Sequence, residues 1–255
     1  MSKARYLLSL VMLMPFAVLA FGNDTVTFSA EDGLLITADI HAPYNNGEAP
    51  IIVLFHQAGS SRGEYTDIVP WLNMLGYNSM TVDQRSGGVS RGIENETASR
   101  AAKENRQTGY LAALPDIKAA LLYARRHYGK GGVIAWGSSY SAALVLQLAG
   151  EFPDLVDGVL AFSSGEYFVR AGKSDTWIEV SARHITDPVF ITSSRNEVSE
   201  WQDIFTAIEP GNKVSFIPQT DGRHGSRALW EKYPDSDAYR DAVRSFLERF
   251  FPASR

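Results

Sequence analysis

Short, continuously apolar runs rich in β-branched residues recur along this chain, and they constrain its fold more than any other feature. Ile51-Ile52-Val53-Leu54-Phe55 sets the pattern, and similar runs stand at Ser79–Val82, Val133–Trp136, Val159–Phe162, Val189–Thr192 and Val214–Ile217. A run with no polar alternation suits a strand buried on both faces, as in a parallel sheet. Helical patterns separate the runs, at Asp67–Leu75, Asp116–His127, Tyr140–Ala149 and Glu200–Ile208. In a final helix Ala242, Val243, Phe246, Leu247 and Phe250 fall on one face. Such alternation predicts an α/β fold, a mostly parallel sheet with helices on both faces. An antiparallel hairpin is expected first, from Val26–Ala30 and Leu34–His41 around the turn Glu31-Asp32-Gly33. The polar stretch Ser86–Gln107 reads as a loop or mobile excursion, and Ser163–Pro188 is too short for a large cap. No repeat or linker divides the chain, so one domain over residues 23–255 is expected.

The N-terminus has a different character. Lys3 and Arg5 precede an apolar run from Leu7 to Ala20, and Ala20-Phe21-Gly22 places small residues at the −3 and −1 positions of a cleavage site. This is the layout of a secretory signal peptide. The run is shorter than the ~20 residues that span a bilayer and is interrupted by Pro15. Cleavage after Gly22 and a periplasmic or secreted protein are expected, with a membrane-anchored N-terminus as the alternative. The 255 residues contain no cysteine, which removes thiol nucleophiles, Cys-ligated metals and lipid attachment at a cysteine. A net charge of −5 without a basic stripe argues against a nucleic-acid partner. No phosphate-cradling loop ending in Lys-Ser/Thr and no zinc-like spacing of His, Asp or Glu is present, so neither cofactor nor metal is expected.

Open α/β sheets bind ligands at the carboxyl ends of their strands. There Val133–Trp136 runs into Gly137-Ser138-Ser139-Tyr140-Ser141 with a helix directly after. A serine on a sharp strand-to-helix turn is a nucleophile elbow, and its neighbours two residues away must be small. Gly137 and Ser141 meet that requirement; a capped helix start is the plainer reading of the same five residues. A serine hydroxyl needs a base within reach. Of five histidines, His224 in the polar loop Asp221-Gly222-Arg223-His224-Gly225 is best aimed for it, because His41, His127 and His184 have ready structural places and His56 precedes the elbow. The orienting carboxylate belongs between them in the chain, after a strand. Glu197 is the choice, with Glu166 as main rival and Asp203 behind both. Oxyanion donors are expected from the backbone N–H of Tyr140 and of Ala58, with Gln57 the near alternative and His56 as organiser of that loop. Tyr140, Tyr167, Phe168 and Trp177 are candidates to line a substrate pocket.

Taken together, Leu-Phe-His56-Gln-Ala-Gly, Asp83-Gln-Arg85-Ser-Gly-Gly88, the Gly137–Ser141 elbow and the acid and His224 loops resemble the α/β-hydrolase superfamily, across nearly all of residues 23–255. The nearest likeness is to small dienelactone-hydrolase-like or carboxylesterase-like members. The resemblance implies the α/β-hydrolase fold with little or no cap, a structural role for Asp83 and Arg85, and a serine hydrolase acting on small-molecule esters through Ser139, His224 and Glu197. The chain departs from the pattern in having Ser141 where glycine is usual and Glu where Asp is commoner. An acyltransferase or peptidase with the same triad, or a non-catalytic binding protein of the same fold, are the other readings.

Overall fold

The computed structural model describes residues 24–44 and 48–253; the expected signal peptide lies outside them. Eight strands form one mixed sheet: β1 Asp24–Ser29, β2 Leu35–His41, β3 Ile51–Phe55, β4 Asn78–Val82, β5 Val133–Ser138, β6 Gly158–Phe162, β7 Val189–Thr192 and β8 Lys213–Phe216. Their spatial order is β1-β2-β4-β3-β5-β6-β7-β8. β2 runs antiparallel to both β1 and β4, and all other pairings are parallel. The turn expected between β1 and β2 is present, with Gly33 at φ 82°.

Strand periodicity divides the core in two. Within β3, Ile51, Val53 and Phe55 join the cluster packed under α3 (Leu114–Tyr128) and α4 (Tyr140–Glu151), whereas Ile52 and Leu54 point to the opposite face. That face is covered by α1 (Ile68–Met74) and α7 (Ser236–Phe250), through Leu72, Val243, Phe246 and Leu247. All five side chains of β3 are fully buried. Each contributes roughly 1.5–3 kcal/mol by leaving water, which is why an uninterrupted apolar run settles at the sheet centre. Trp136 and Phe162, on neighbouring strands, stack at 4.6 Å.

Ser86–Gln107 is more structured than its polarity predicts. It holds a short hairpin, Val89–Ser90 with Ile93–Glu94, and helix α2, Glu96–Lys103. The Asn95 side chain caps that helix by accepting from the Ala98 N–H at 2.7 Å. Only Thr97 and Ala101 of α2 are buried, so the helix rests on its cap and on polar ties more than on an apolar face. Among those ties, Arg62 bonds Asp39, Asp83 and Glu96, each from a different segment. Arg85 does the same for Asp32 and Asp116. Between β6 and β7 lie a 3-10 turn, Val169–Ala171, and the short helix α5, Trp177–Ala182, and between β7 and β8 lies α6, Val198–Ala207. No large cap interrupts the fold, and among the described residues no helix is long and apolar enough to cross a membrane.

Candidate active site

Ser139 sits between β5 and α4 with φ 60° and ψ −125°. A non-glycine residue there stores about 1–3 kcal/mol of strain and persists only where its surroundings hold it. They do so here: the Ser139 N–H donates to the Phe162 carbonyl at 2.7 Å, and the turn is closed by Ala142 N–H to Ser139 carbonyl at 2.8 Å. Gly137 must be glycine, since a Cβ there would lie 2.5 Å from the Ala142 backbone. Ser141 is a different matter. Its hydroxyl donates to the His56 carbonyl at 2.7 Å and accepts from Gln84 Nε2 at 2.6 Å, so the residue that replaces the usual glycine ties the elbow to the loop after β3.

His224 follows β8 in the loop predicted for it. Its Nδ1 lies 2.7 Å from Glu197 Oε1. The other carboxylate oxygen accepts from Ser163 Oγ at 2.7 Å, and that hydroxyl in turn accepts the Gly225 N–H at 2.8 Å. Burial alone would raise the Glu197 carboxyl, but hydrogen bonds from His224 and Ser163 and the imidazole charge outweigh it and hold it down at about 2. Glu166 is engaged elsewhere: it accepts the N–H groups of Ile178 and Glu179 at 3.0 and 2.8 Å, at the start of α5. Asp203 is exposed on α6. The histidine loop is pinned to the elbow strand, because the Ser226 N–H donates to Ser138 Oγ at 2.9 Å. Ser139 and His224 form no direct hydrogen bond among the described residues; such contacts are commonly long before substrate arrives.

The loop after β3 carries the second group of donors. The Gln57 N–H is committed to Glu64 Oε2 at 2.9 Å, whereas the N–H groups of Ala58 and Tyr140 donate to no protein acceptor among the described residues. His56 is fully buried, and burial holds it neutral, down at about 4, against the pull of its hydrogen bonds to the Gln57 and Gln84 backbone. Its Nδ1 bonds the Gln57 carbonyl at 2.7 Å, and its Nε2 accepts the Gln84 N–H at 3.1 Å. The imidazole thereby organises the loop, as its position suggested.

Of two open cavities, each about 580 Å³, one is lined by residues of this constellation and the other is tied to it through Tyr167, whose hydroxyl bonds the Ser163 carbonyl. One contains Glu197 and His224, with Arg195, Arg223 and Arg227 at its walls. The other is lined by Tyr110, Leu111, Tyr167, Phe168 and Arg170. Tyr140 is not in that wall, contrary to the expectation from sequence. It is 1% exposed and lies beneath, bonded to Ser86 and Gln84 and stacked on Tyr110 at 4.8 Å. Trp177 packs edge-on against Phe168 at 5.3 Å, behind the wall. Tyr110, Glu64, Ser138 and Ser163 were not singled out by sequence, and only Ser163, at a strand end before another serine, carried a local signal. A third cavity, about 460 Å³ between α1 and β2, holds no residue of the constellation. No cluster of His, Asp and Glu among the described residues has the makings of a metal site.

The family model for the alpha/beta hydrolase fold matches residues 50–182, more than half of the chain. The protein is an α/β hydrolase. Its structural neighbours share that fold at low identity. An esterase of Pyrococcus furiosus superposes with a TM-score of 0.68 at 18% identity, over 95% of this chain and 98% of that one. The dienelactone hydrolase of Anabaena variabilis gives 0.68 at 14%, over 90% and 98%. Est1E of Butyrivibrio proteoclasticus, solved with ferulic acid bound, gives 0.65 at 14%, over 88% and 98%. No curated protein matches the hydrolase by sequence.

Proposed function

We propose that this α/β hydrolase is an exported serine esterase that cleaves small carboxylic esters through an acyl-enzyme. The observation that carries the reading is Ser139, held at φ 60° on a strand–helix turn that the Ser226 N–H ties, through Ser138 Oγ, to the loop of His224, itself paired with Glu197. Ser139 Oγ forms a bond to the ester carbonyl carbon while its proton passes to His224 Nε2. His224 Nδ1–H donates to Glu197, whose low pKa keeps it ionised to stabilise the imidazolium. The Ala58 and Tyr140 N–H groups receive the oxyanion. Collapse breaks the bond to the alcohol, which leaves with the proton held by His224. Water, deprotonated by His224, then attacks the acyl carbon and frees Ser139.

The cavity of Tyr110, Leu111, Tyr167 and Phe168 supplies an aromatic-walled place for one side of the ester. Est1E binds ferulic acid, and an aromatic acyl group is the substrate side we assign to this wall. Export rests on the N-terminal layout of Lys3, Arg5 and the apolar run to Ala20.

Incubation with a fluorophosphonate probe and mapping of the adduct by mass spectrometry tests the reading. Stoichiometric adduct on Ser139, absent in Ser139→Ala, is the expected result. Folded protein that takes up no probe at neutral pH, and turns over no p-nitrophenyl ester, would leave a binding protein of the same fold as the better account.

A further inference from the structure

Of the fully buried carboxylates, Asp83 and Asp116 each face a guanidinium, from Arg62 and Arg85 respectively. Glu64 is as deeply buried, yet no Arg or Lys among the described residues bonds it; Arg227 acts on it only at a distance. Neutral donors surround it instead. Oε2 accepts the Gln57 N–H at 2.9 Å and Oε1 accepts the Ser138 hydroxyl at 2.7 Å. The main-chain carbonyl of Glu64 accepts Trp230 Nε1 at 2.8 Å.

Each partner is one step from the chemistry. Gln57 precedes Ala58, the oxyanion donor. Ser138 precedes Ser139 and also accepts the Ser226 N–H, two residues beyond His224. At the point where these segments meet, Gly225 has φ 69°, and a Cβ there would lie 2.5 Å from Ser138 Oγ and 3.0 Å from Gln57 Oε1.

We propose that Glu64 is a positioning residue, whose buried carboxylate clamps the oxyanion loop, the elbow and the histidine loop together and thereby sets the oxyanion donors and His224 relative to Ser139. The proposal rests on the reading of Ser139 as nucleophile.

The chemistry of the group matters more than its volume. Two donors converge on it from different segments, and a carboxylate offers each an acceptor oxygen. An amide of the same shape has one oxygen and one NH₂, so it sets a donor against the Gln57 N–H or the Ser138 hydroxyl. Where the NH₂ meets Ser138, that hydroxyl must turn its proton elsewhere and its hold on the Ser226 N–H is disturbed; where it meets the Gln57 N–H, the oxyanion loop is pushed away. Burial pushes the Glu64 pKa up, and the hydrogen bonds from Gln57 and Ser138 act against that rise.

Steady-state hydrolysis of p-nitrophenyl acetate by wild type, Glu64→Gln, Ser138→Ala and the double variant tests this, with thermal unfolding and fluorophosphonate labelling measured in parallel. The expected result is a ten- to hundredfold fall in kcat for Glu64→Gln, with KM within threefold and a folded protein. Ser138→Ala should lose five- to twentyfold, and the double variant should be no slower than the slower single, because both act through one link. Wild-type kcat in Glu64→Gln overturns the proposal, as do losses that multiply in the double variant. If Glu64→Gln does not fold, Ser138→Ala decides: a folded variant with wild-type kcat overturns it. Wild-type protein that neither labels nor turns over defeats the nucleophile reading and this proposal with it, whereas labelling of Ser139 at equal rates in wild type and Glu64→Gln defeats the proposal alone.

Discussion

Two sets of carboxylates brace this molecule, and they are held in opposite ways. On the side of β2 and β4, Asp83 and Asp116 are locked by the forks of Arg62 and Arg85, which reach on to Asp39, Glu96 and Asp32. At the site, Glu197, just beyond β7, takes its bonds from an imidazole and a hydroxyl, and Glu64, in the turn after β3, from an N–H and a hydroxyl. A guanidinium is permanently charged and presents fixed donors, so a carboxylate paired with it is a strut. An imidazole or a hydroxyl can give up or receive a proton. The frame carboxylates are therefore spent on shape, and those at the site remain coupled to groups whose protons can move.

The largest effects should come from the site set. Ser139→Ala and His224→Ala are each expected to lower kcat on a short-chain ester by more than about a thousandfold, with unfolding unchanged. Glu197→Gln should cost about a thousandfold or more, because the imidazole loses its orienting charge. Glu166→Gln provides the contrast: it caps α5, so kcat should stay within twofold while unfolding is affected by about 1 kcal/mol. Equal losses for the two glutamates would break the division between a site carboxylate and a structural one.

The frame set should respond the other way round. Arg85→Met leaves Asp116 buried without its cation, which is expected to cost about 3–5 kcal/mol of stability in denaturant unfolding. The fraction that stays folded should keep kcat within a few-fold. A pH comparison sharpens the same point at smaller amplitude. The Glu197 pKa is depressed to about 2 in the folded state, so the stability it contributes is present above its ordinary value of 4.5 and disappears as pH falls toward 2. Melting temperatures of wild type and Glu197→Gln should differ most above pH 4.5 and converge toward pH 2.

This division was half legible in the residues. The sheet is written in uninterrupted runs such as Ile51–Phe55, since burial on both faces leaves no polar position in a strand. The elbow is local, so Gly137, Ser139 and Ser141 announce it within five residues. Chain order picks out Glu197 for His224, and the structure sets them 2.7 Å apart. Glu64 was not legible, because an acidic residue in Arg62-Gly63-Glu64-Tyr65 reads as a solvated charge until the donors from Gln57 and Ser138 are seen. Helix α2 was hidden for a related reason: its stability rests on a cap and on ion pairs with distant residues, and periodicity carries no trace of those. Tyr110 reaches the site by stacking on Tyr140, thirty positions along the chain.

Tyr110 gives the smallest expected effect and the most direct handle on substrate. Nearly half of it is exposed, its ring forms part of the aromatic cavity wall, and it has no hydrogen bond to the groups around Ser139. Tyr167 is a poorer probe, because its hydroxyl bonds the Ser163 carbonyl and a change there reaches Glu197 through Ser163. A stacked aromatic contact contributes about 0.5–1.5 kcal/mol, which corresponds to roughly two- to tenfold in binding. Tyr110→Ala should therefore raise KM for an aromatic acyl ester, such as a p-nitrophenyl ester of a cinnamic acid, by about two- to tenfold. For p-nitrophenyl acetate, which has no acyl ring to stack, KM and kcat should hold. An equal loss on both esters would place Tyr110 with the frame that supports Tyr140, and no loss on either would move the acyl group out of this cavity and toward the arginine-walled one beside His224.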